Sequence, residues 1–389
     1  MPLLDYPPLR TLYGLSALAL FILRLPFLVL QYALPSLRQH RSYTFRQALG
    51  VRALSAAVYH QSVLHIKTPL PLTPGAEKHR FIVVKPANAA YYKGSLADEK
   101  TRPVDIGATW YNAPLTAWKT GDADGDAHAH NDKTLVVLHI HGGGFVVADG
   151  RTTASGPFAS SLLHHTPATH ILTPQYRLST LPASSSPSSH AFPAALQDSL
   201  TAYLYLLHTL HIPPSRIILS GDSAGGNLAI ALLRYIATYG SALAIPAPSA
   251  AWLWSPWTAP VRNSRAEMHA NANFATDYLP HNFVAWGSSA YAGVGGQQAL
   301  ASPWVSAEGH AFRTGVPLWV NVGGKEVLYF DGVKWVEEMR DAGNDVTLDV
   351  EERAVHDILL FPAWVGFGEE ARACARRAGE WVRRVRKAE

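Results

Sequence analysis

A serine, a histidine and a carboxylate do chemistry together only when a fold brings them within reach, and one stretch of this 389-residue chain is shaped to present a serine. In ILSGDSAGGNLAIALL an apolar run passes without a spacer into Gly221-Asp222-Ser223-Ala224-Gly225 and then into a helix-like pattern. This is G-x-S-x-G between a strand and a helix. There a tight turn lifts the serine hydroxyl above the sheet edge, at a helix N-terminus that favours developing negative charge. Glycines flank the serine because the turn leaves no room for side chains. Ser223 is the candidate nucleophile, set against the plainer reading of an ordinary turn. Asp222 points elsewhere at so sharp a bend and is read as structural.

A serine hydroxyl attacks a carbonyl after a base removes its proton, and the resulting oxyanion needs hydrogen-bond donors. His141-Gly142-Gly143-Gly144-Phe145 directly follows the apolar run LVVLHI, and successive glycines let backbone N–H groups come close to a substrate. Eighteen histidines compete for the role of base. His356, in ERAVHDILL, sits in a loop between a strand-like segment and the last helix pattern, whereas most others fall in helices, in an insertion or before the serine. For the acid, LWVNVGGKEVLYFD offers Glu326 at a strand tip and Asp331 a helical turn later, and position alone leaves both open. The resulting order, serine then acid then histidine, is the one that accompanies a strand-turn-helix nucleophile.

Unalternating apolar runs at 135–140, 171–174, 217–220, 251–254 and 318–322, with strand-like 81–84 and 346–350, suit strands buried on both faces. Helical periodicity fills 46–66, 192–208, 226–239, 332–342 and 364–387. The expected fold class is α/β, a mostly parallel central sheet flanked by helices. Hydrophobic residues make up 48% of the chain and charged ones 16%, which excludes a disordered or fibrous protein. The net charge of +4 is scattered except for a C-terminal basic cluster. That cluster ends a helix pattern that opens with Glu369 and Glu370, so it matches the helix dipole and implies no nucleic-acid partner. The single cysteine, Cys374, excludes an internal disulfide and a cysteine-based zinc site. The stretch GDADGDAHAHND fails as a calcium loop, because Ala127 falls where glycine is required and Lys133 where glutamate is, and it is read as a solvated insertion. GVGGQQ has Gln298 where a dinucleotide fingerprint needs glycine.

Taken in order, HGGGF, PQYRLS, AFPAALQDSL, GDSAGGNL, GGKEVL and AVHDI resemble the hormone-sensitive-lipase-like branch of the α/β-hydrolases, which includes arylacetamide deacetylases and many microbial and fungal carboxylesterases. The matches run from about residue 135 to the end of the sequence. The resemblance implies Ser223 as nucleophile, His356 as base, Glu326 as the acid in its Glu-Val-Leu context, and the N–H groups of Gly142, Gly143 and Ala224 as oxyanion donors. It implies the α/β-hydrolase fold with a helical cap, built from N-terminal residues and an insertion at about 258–302. The implied reaction is hydrolysis of a small-molecule carboxylic ester through an acyl-enzyme, with no cofactor. The chain departs from the family by inserting TLPASSSPSSH between PQYRLS and AFPAAL, a loop expected to be mobile and away from the chemistry. Trp252, Trp254 and Trp257 are expected in the core rather than on the pocket wall. Amide deacetylation or acyl transfer on the same triad, and a non-catalytic ligand-binding member of the fold, are the alternative functions; His356 in place argues against the last.

Residues 11–30 read TLYGLSALALFILRLPFLVL, one charge in twenty, and such a helix spans roughly 30 Å. Arg24 and Pro26 oppose insertion, the arginine by about 2.5–3.5 kcal/mol. A membrane anchor and a helix lying on the protein body or in the membrane interface stand as alternatives. If the segment spans, Arg38, Arg41, Arg46 and Arg52 after it place the body in the cytosol, at a membrane such as the endoplasmic reticulum; the alternative is a soluble cytoplasmic protein. No Asn-x-Ser/Thr sequon occurs, in keeping with a cytosolic body. The expected division is 1–45 as the apolar segment, 46–110 as the N-terminal part of the cap with the first strands, and 111–389 as the catalytic domain. A lipophilic ester of short acyl chain is the expected substrate, and the oligomeric state is left open.

Overall fold

Segments that are apolar at every position cannot turn either face to water, so they must form the middle layer of a sandwich. The computed structural model describes residues 6–115, 134–361 and 365–388, and the insertion at 120–133 and Trp364 lie outside them. Its centre is an eight-stranded sheet built from β1 (Phe81–Val84), β2 (Ile106–Tyr111), β3 (Val136–Ile140), β4 (His170–Gln175), β5 (Ile217–Asp222), β6 (Ala250–Trp254), β7 (Leu318–Gly323) and β8 (Val346–Glu351). The strand order is β1-β2-β4-β3-β5-β6-β7-β8. β2 runs antiparallel to both β1 and β4, and every pairing from β4 through β8 is parallel. Every residue of β3, β5, β6 and β7 is buried, as their unbroken apolarity requires.

The helices are α1 (Pro7–Ala33), α2 (Phe45–Val63), α3 (Thr152–His165), α4 (Ala194–Leu204), α5 (Ser223–Leu243), α6 (Arg265–Ala270), α7 (His281–Ala292), α8 (Gly296–Leu300), α9 (Tyr329–Asp341) and α10 (Gly368–Ala388). Two elements lack a strong signal. β2 reads IGATWY, in which Gly107 takes the Phe81 ring against its backbone and hides the strand pattern. α3 contains Gly156 and Pro157, both poor helix formers, yet it buries Ser155, Phe158, Ala159 and Leu162, the i, i+3, i+4, i+7 stripe of a helix face. α5 opens at Ser223, ahead of the pattern that starts at Gly226, because Gly225 and Gly226 serve close packing rather than a loop. A side chain on Gly225 would meet the carbonyl oxygens of Ile140 and His141. Trp252, Trp254 and Trp257 are all buried within the core, and none lines the cavity bordered by Ser223 and His356.

α1 stands apart in its packing. It is long and apolar enough to cross a membrane, with a mean hydropathy of 2.0, yet only Leu28 and Tyr32 are buried while Leu23 is 76% and Leu30 71% exposed. Pro26 lies inside the helix, which continues through it to Ala33. Contact with the body comes through α2, where the Tyr13 hydroxyl lies 2.9 Å from His60 Nδ1.

One ion pair links the loop after β4 to helix α4. Arg177, after β4, donates through Nε and Nη2 to the buried Asp198 of α4, at 2.8 to 3.1 Å, and its own N–H reaches the same carboxylate at 2.8 Å. This joins the PQYRLS and AFPAALQDSL motifs. Burial pushes the Asp198 carboxyl up despite its arginine partner. Removing one member leaves a buried charge alone, so Asp198→Ala is expected to cost about 3–5 kcal/mol in a urea unfolding curve; a loss below 1 kcal/mol would refute a structural role for the pair.

Candidate active site

The strand β5 ends at Asp222 and α5 begins at the next residue, so Ser223 must turn the chain within one peptide. It does so with φ of +52°, the left-handed region a serine adopts only when its surroundings dictate it. A side chain on Gly221 would meet the Gly225 carbonyl, which is why the flanking positions must be glycine. The helix has no side-chain cap at Asp222, leaving the first-turn N–H groups, including that of Ala224, without a capping partner from that side chain.

Asp222 turns away from the serine's position and organises the neighbouring loop. Its carboxylate accepts the Gly142 N–H at 2.9 and 3.0 Å and lies 3.1 Å from His139 Nε2 on β3. Burial alone would raise this carboxyl, but the bond to His139 and its charge hold it below the usual range. The Gly142 N–H is thereby engaged, which corrects its expected role: of the three expected oxyanion donors, Gly143 and Ala224 remain open. Gly143 follows with φ of +101°, a conformation that only glycine adopts without strain.

His356 lies after β8, with its Nδ1 3.2 Å from Glu326 Oε2. The histidine is 3% and the glutamate 0% exposed. Burial acts to lower the His356 pKa, but the Glu326 hydrogen bond and the charges of Glu326, Asp277 and Asp222 outweigh it and raise it above 6.5. Asp331, the other candidate acid, sits on α9, paired with Arg262 at 3.2 Å and pushed up to about 6 by burial. The carboxylate at the histidine is therefore Glu326. Ser223, His356, Gly142 and Gly143 line one cavity of about 390 Å³, walled by apolar side chains such as Val58 of α2, Phe158 of α3 and Phe283 of α7. No residue of the TLPASSSPSSH loop belongs to the described lining. That loop is closed at its base by the Thr180 N–H donating to the Ser189 carbonyl at 2.9 Å.

The glutamate and histidine stand on different loops, and a residue that motif reasoning left unassigned joins them. Asp277, in NFATDYL, accepts the N–H of Val327 at 2.9 Å, of His356 at 3.2 Å and of Tyr278 at 2.8 Å. Burial pushes its carboxyl up to about 6. Asn273 adds donors to the carbonyls of Gly324 and Glu326. Both residues fall within the expected cap insertion at about 258–302, and none of the family motifs covers them.

The sequence model of the α/β-hydrolase fold matches residues 137–360. The chain belongs to the α/β-hydrolase family. This α/β-hydrolase is 31% identical over 225 residues to an acetyl-hydrolase of Streptomyces hygroscopicus, covering 55% of the chain and 64% of the relative. It is 28% identical over 246 residues to a carboxylesterase of Mycobacterium tuberculosis, covering 62% of the chain and 71% of the relative. The solved structure of an esterase from the bacterial hormone-sensitive lipase family superposes with a TM-score of 0.57 at 22% identity, covering 89% of this chain and 99% of the other. That likeness carries the fold.

Asp277→Ala would leave three buried N–H groups unpaired at the junction of the Glu326 and His356 loops. It is expected to lower stability by about 2–4 kcal/mol in a denaturant melt, with the surviving folded fraction reduced at least tenfold in ester turnover. Wild-type turnover in that fraction would remove Asp277 from the positioning of the two loops.

Proposed function

We propose that this α/β-hydrolase is a serine carboxylesterase acting on a small, lipophilic ester of short acyl chain. The observation that carries the reading is the convergence on one apolar cavity of a serine at a strained strand-to-helix turn, a histidine held by a buried glutamate, and a glycine loop. In the first step Ser223 Oγ attacks the ester carbonyl carbon while His356 Nε2 takes its proton, and the Gly143 and Ala224 N–H groups receive the developing oxyanion. The C–O bond to the alcohol then breaks, and His356 returns the proton to the departing oxygen. Water repeats the sequence on the acyl-enzyme, releasing the acid. Glu326 keeps the proton on Nδ1 and stabilises the imidazolium. The size and lining of the cavity favour a compact apolar substrate, and the similarity to an acetyl-hydrolase favours a short acyl group. We read α2 and the α6 to α8 segment as a cap, since they wall the cavity with Val58 and Phe283.

Three substitutions and a pH series test the triad together. A fluorophosphonate probe should label the native chain and leave Ser223→Ala unlabelled, with His356→Ala slowed at least a thousandfold on p-nitrophenyl acetate. His356 must be neutral to act as base, so with its pKa raised the acid limb of kcat/KM has its midpoint above pH 6.5. In Glu326→Gln the largest raising influence is gone, and the limb moves to lower pH with a reduced plateau. Labelling that persists in Ser223→Ala removes the nucleophile, and a limb that stays in place in Glu326→Gln removes the acid.

The exposed apolar length of α1 supports a second part of the proposal: the helix seats in a lipid bilayer and holds the catalytic body at its cytosolic surface. Expressed in yeast, the full chain is expected to stay with membranes through carbonate extraction, and residues 46–389 to be digested by protease added outside sealed microsomes. Complete release into the carbonate supernatant would rule out the anchor.

A further inference from the structure

Between residues 11 and 30 α1 carries a single charge, Arg24. It sits on the stripe of the helix turned to the body, with Ala17, Phe21 and Leu28, rather than among the outward-facing Leu23, Phe27 and Leu30. Tyr13 lies on the same stripe about three turns earlier, where its hydroxyl meets His60 of α2. α2 runs back along α1. From the Tyr13–His60 contact, Arg24 is roughly 16 Å along α1 and Arg52 roughly 12 Å back along α2, so the two arginines stand within about one helical turn of the same level. Between the helices opens a cavity of about 650 Å³, separate from the one bordered by Ser223 and closed on its third side by residues 274–280. Leu279 lines both cavities and forms the partition between them.

Arg24 and Arg52 both line this cavity and are both exposed, so a ligand can reach them. Neither guanidinium donates a hydrogen bond or forms an ion pair among the described residues, whereas Arg38 of the same hairpin is spent on the carbonyls of Tyr32, Ala33 and Tyr43. Asp277 is the carboxylate of the described lining, and backbone donors occupy both its oxygens: His356 and Tyr278 on Oδ1, Val327 on Oδ2. The protein therefore leaves two positive charges without a counter-charge on and beside its most apolar helix. A charge in that setting is costly until it finds a partner or reaches the headgroup region. Around the arginines the wall is apolar, with Phe21, Leu28 and Leu279, which fits hydrocarbon better than a small hydrated anion. We propose that the cavity binds an anionic phospholipid drawn from the bilayer, with Arg24 and Arg52 donating to its phosphate and the apolar wall taking the start of an acyl chain. Two planar guanidinium forks match the oxygens of a phosphate, and basic pockets between helices hold anionic headgroups in this way. The inference rests on the reading that α1 seats in a lipid bilayer, and names the lipid held between that helix and the body.

The test uses the full-length chain in neutral detergent micelles doped with equal amounts of phosphatidylserine and phosphatidylcholine, and native mass spectrometry reads which lipid stays bound. The native chain is expected to retain phosphatidylserine at least roughly tenfold over phosphatidylcholine, and the double variant Arg24→Gln with Arg52→Gln to show a preference below about twofold. Both substitutions are at exposed positions, and an unchanged Tm confirms that the fold is kept. Ser55→Trp leaves both charges in place but fills the cavity, and is expected to lose the lipid as well. Arg41→Gln removes an exposed charge outside the cavity and is expected to keep the preference. A preference that survives the double substitution, or that falls equally in Arg41→Gln, overturns the site. So does displacement of the lipid by inorganic phosphate alone, which assigns a free anion, and so does a retained fatty acid in place of a phospholipid, which assigns a carboxylate. Micelles require no insertion of α1, so the two readings fail separately: release of the full chain into the carbonate supernatant overturns the anchor, and loss of selectivity in micelles overturns the lipid site.

Discussion

The site is held together by a buried carboxylate that takes no part in bond making. Asp222 closes β5, accepts the Gly142 N–H with both oxygens, faces His139 on β3 and lies beside Asp357 of the histidine loop. Three separate stretches, the glycine loop, the serine turn and the histidine loop, thus meet at one charge. Because a charge in a dry interior is costly unless its lone pairs are satisfied, each stretch is constrained by the same condition. A shift in any one leaves the carboxylate short of a donor. The tightness of the serine turn adds to this: with glycine at 221 and 225 the backbone of α5 lies against the end of β3, so the serine and the glycine loop share a fixed separation.

Asp277 plays the corresponding part on the opposite side. Glu326 comes from the loop after β7 and His356 from the loop after β8, and parallel strand pairing places these loops side by side without setting their relative height. Three N–H groups converging on Asp277 set it. The two aspartates differ in one respect that follows from their neighbours. The bond to His139 and its charge hold the Asp222 carboxyl below the usual range against burial, whereas at Asp277 burial outweighs the nearby His356 and pushes the carboxyl up to about 6. In so dense an acidic cluster the backbone donors offset part of the charge, and burial with the Asp222 charge pushes the Asp357 carboxyl well above the ordinary carboxylate range.

The parts legible in the sequence are those whose physics is local. Unbroken apolar runs mark β3 and β5 to β7, glycines around Ser223 mark a turn, and the acidic start and basic end of α10 mark a helix. His356 was reachable from chain order, whereas chain order left Glu326 and Asp331 side by side and only the family resemblance favoured Glu326. The engagement of Gly142 was not, because the acceptor stands 80 residues away. Asp277 escaped for the same reason: its partners are 50 and 79 residues distant, and a lone aspartate in NFATDYL looks like any loop residue. α3 escaped because propensity argued against it while tertiary burial of Phe158 and Leu162 decided for it.

The apolar surface of the chain is divided between two purposes that composition alone merges. Most of it is removed from water by the sheet and its helices, a requirement of the fold that says nothing of a partner. Much of the remainder is on α1, where Leu23, Phe27 and Leu30 face outward along a helix that touches the body chiefly through α2. α2 is also a wall of the catalytic cavity, through Val58 and Gln61. The same helix therefore contacts α1 through His60 and borders the cavity through Val58 and Gln61. The helix α2 thus joins the outward-facing apolar length of α1 to the wall of the cavity that holds Ser223 and His356.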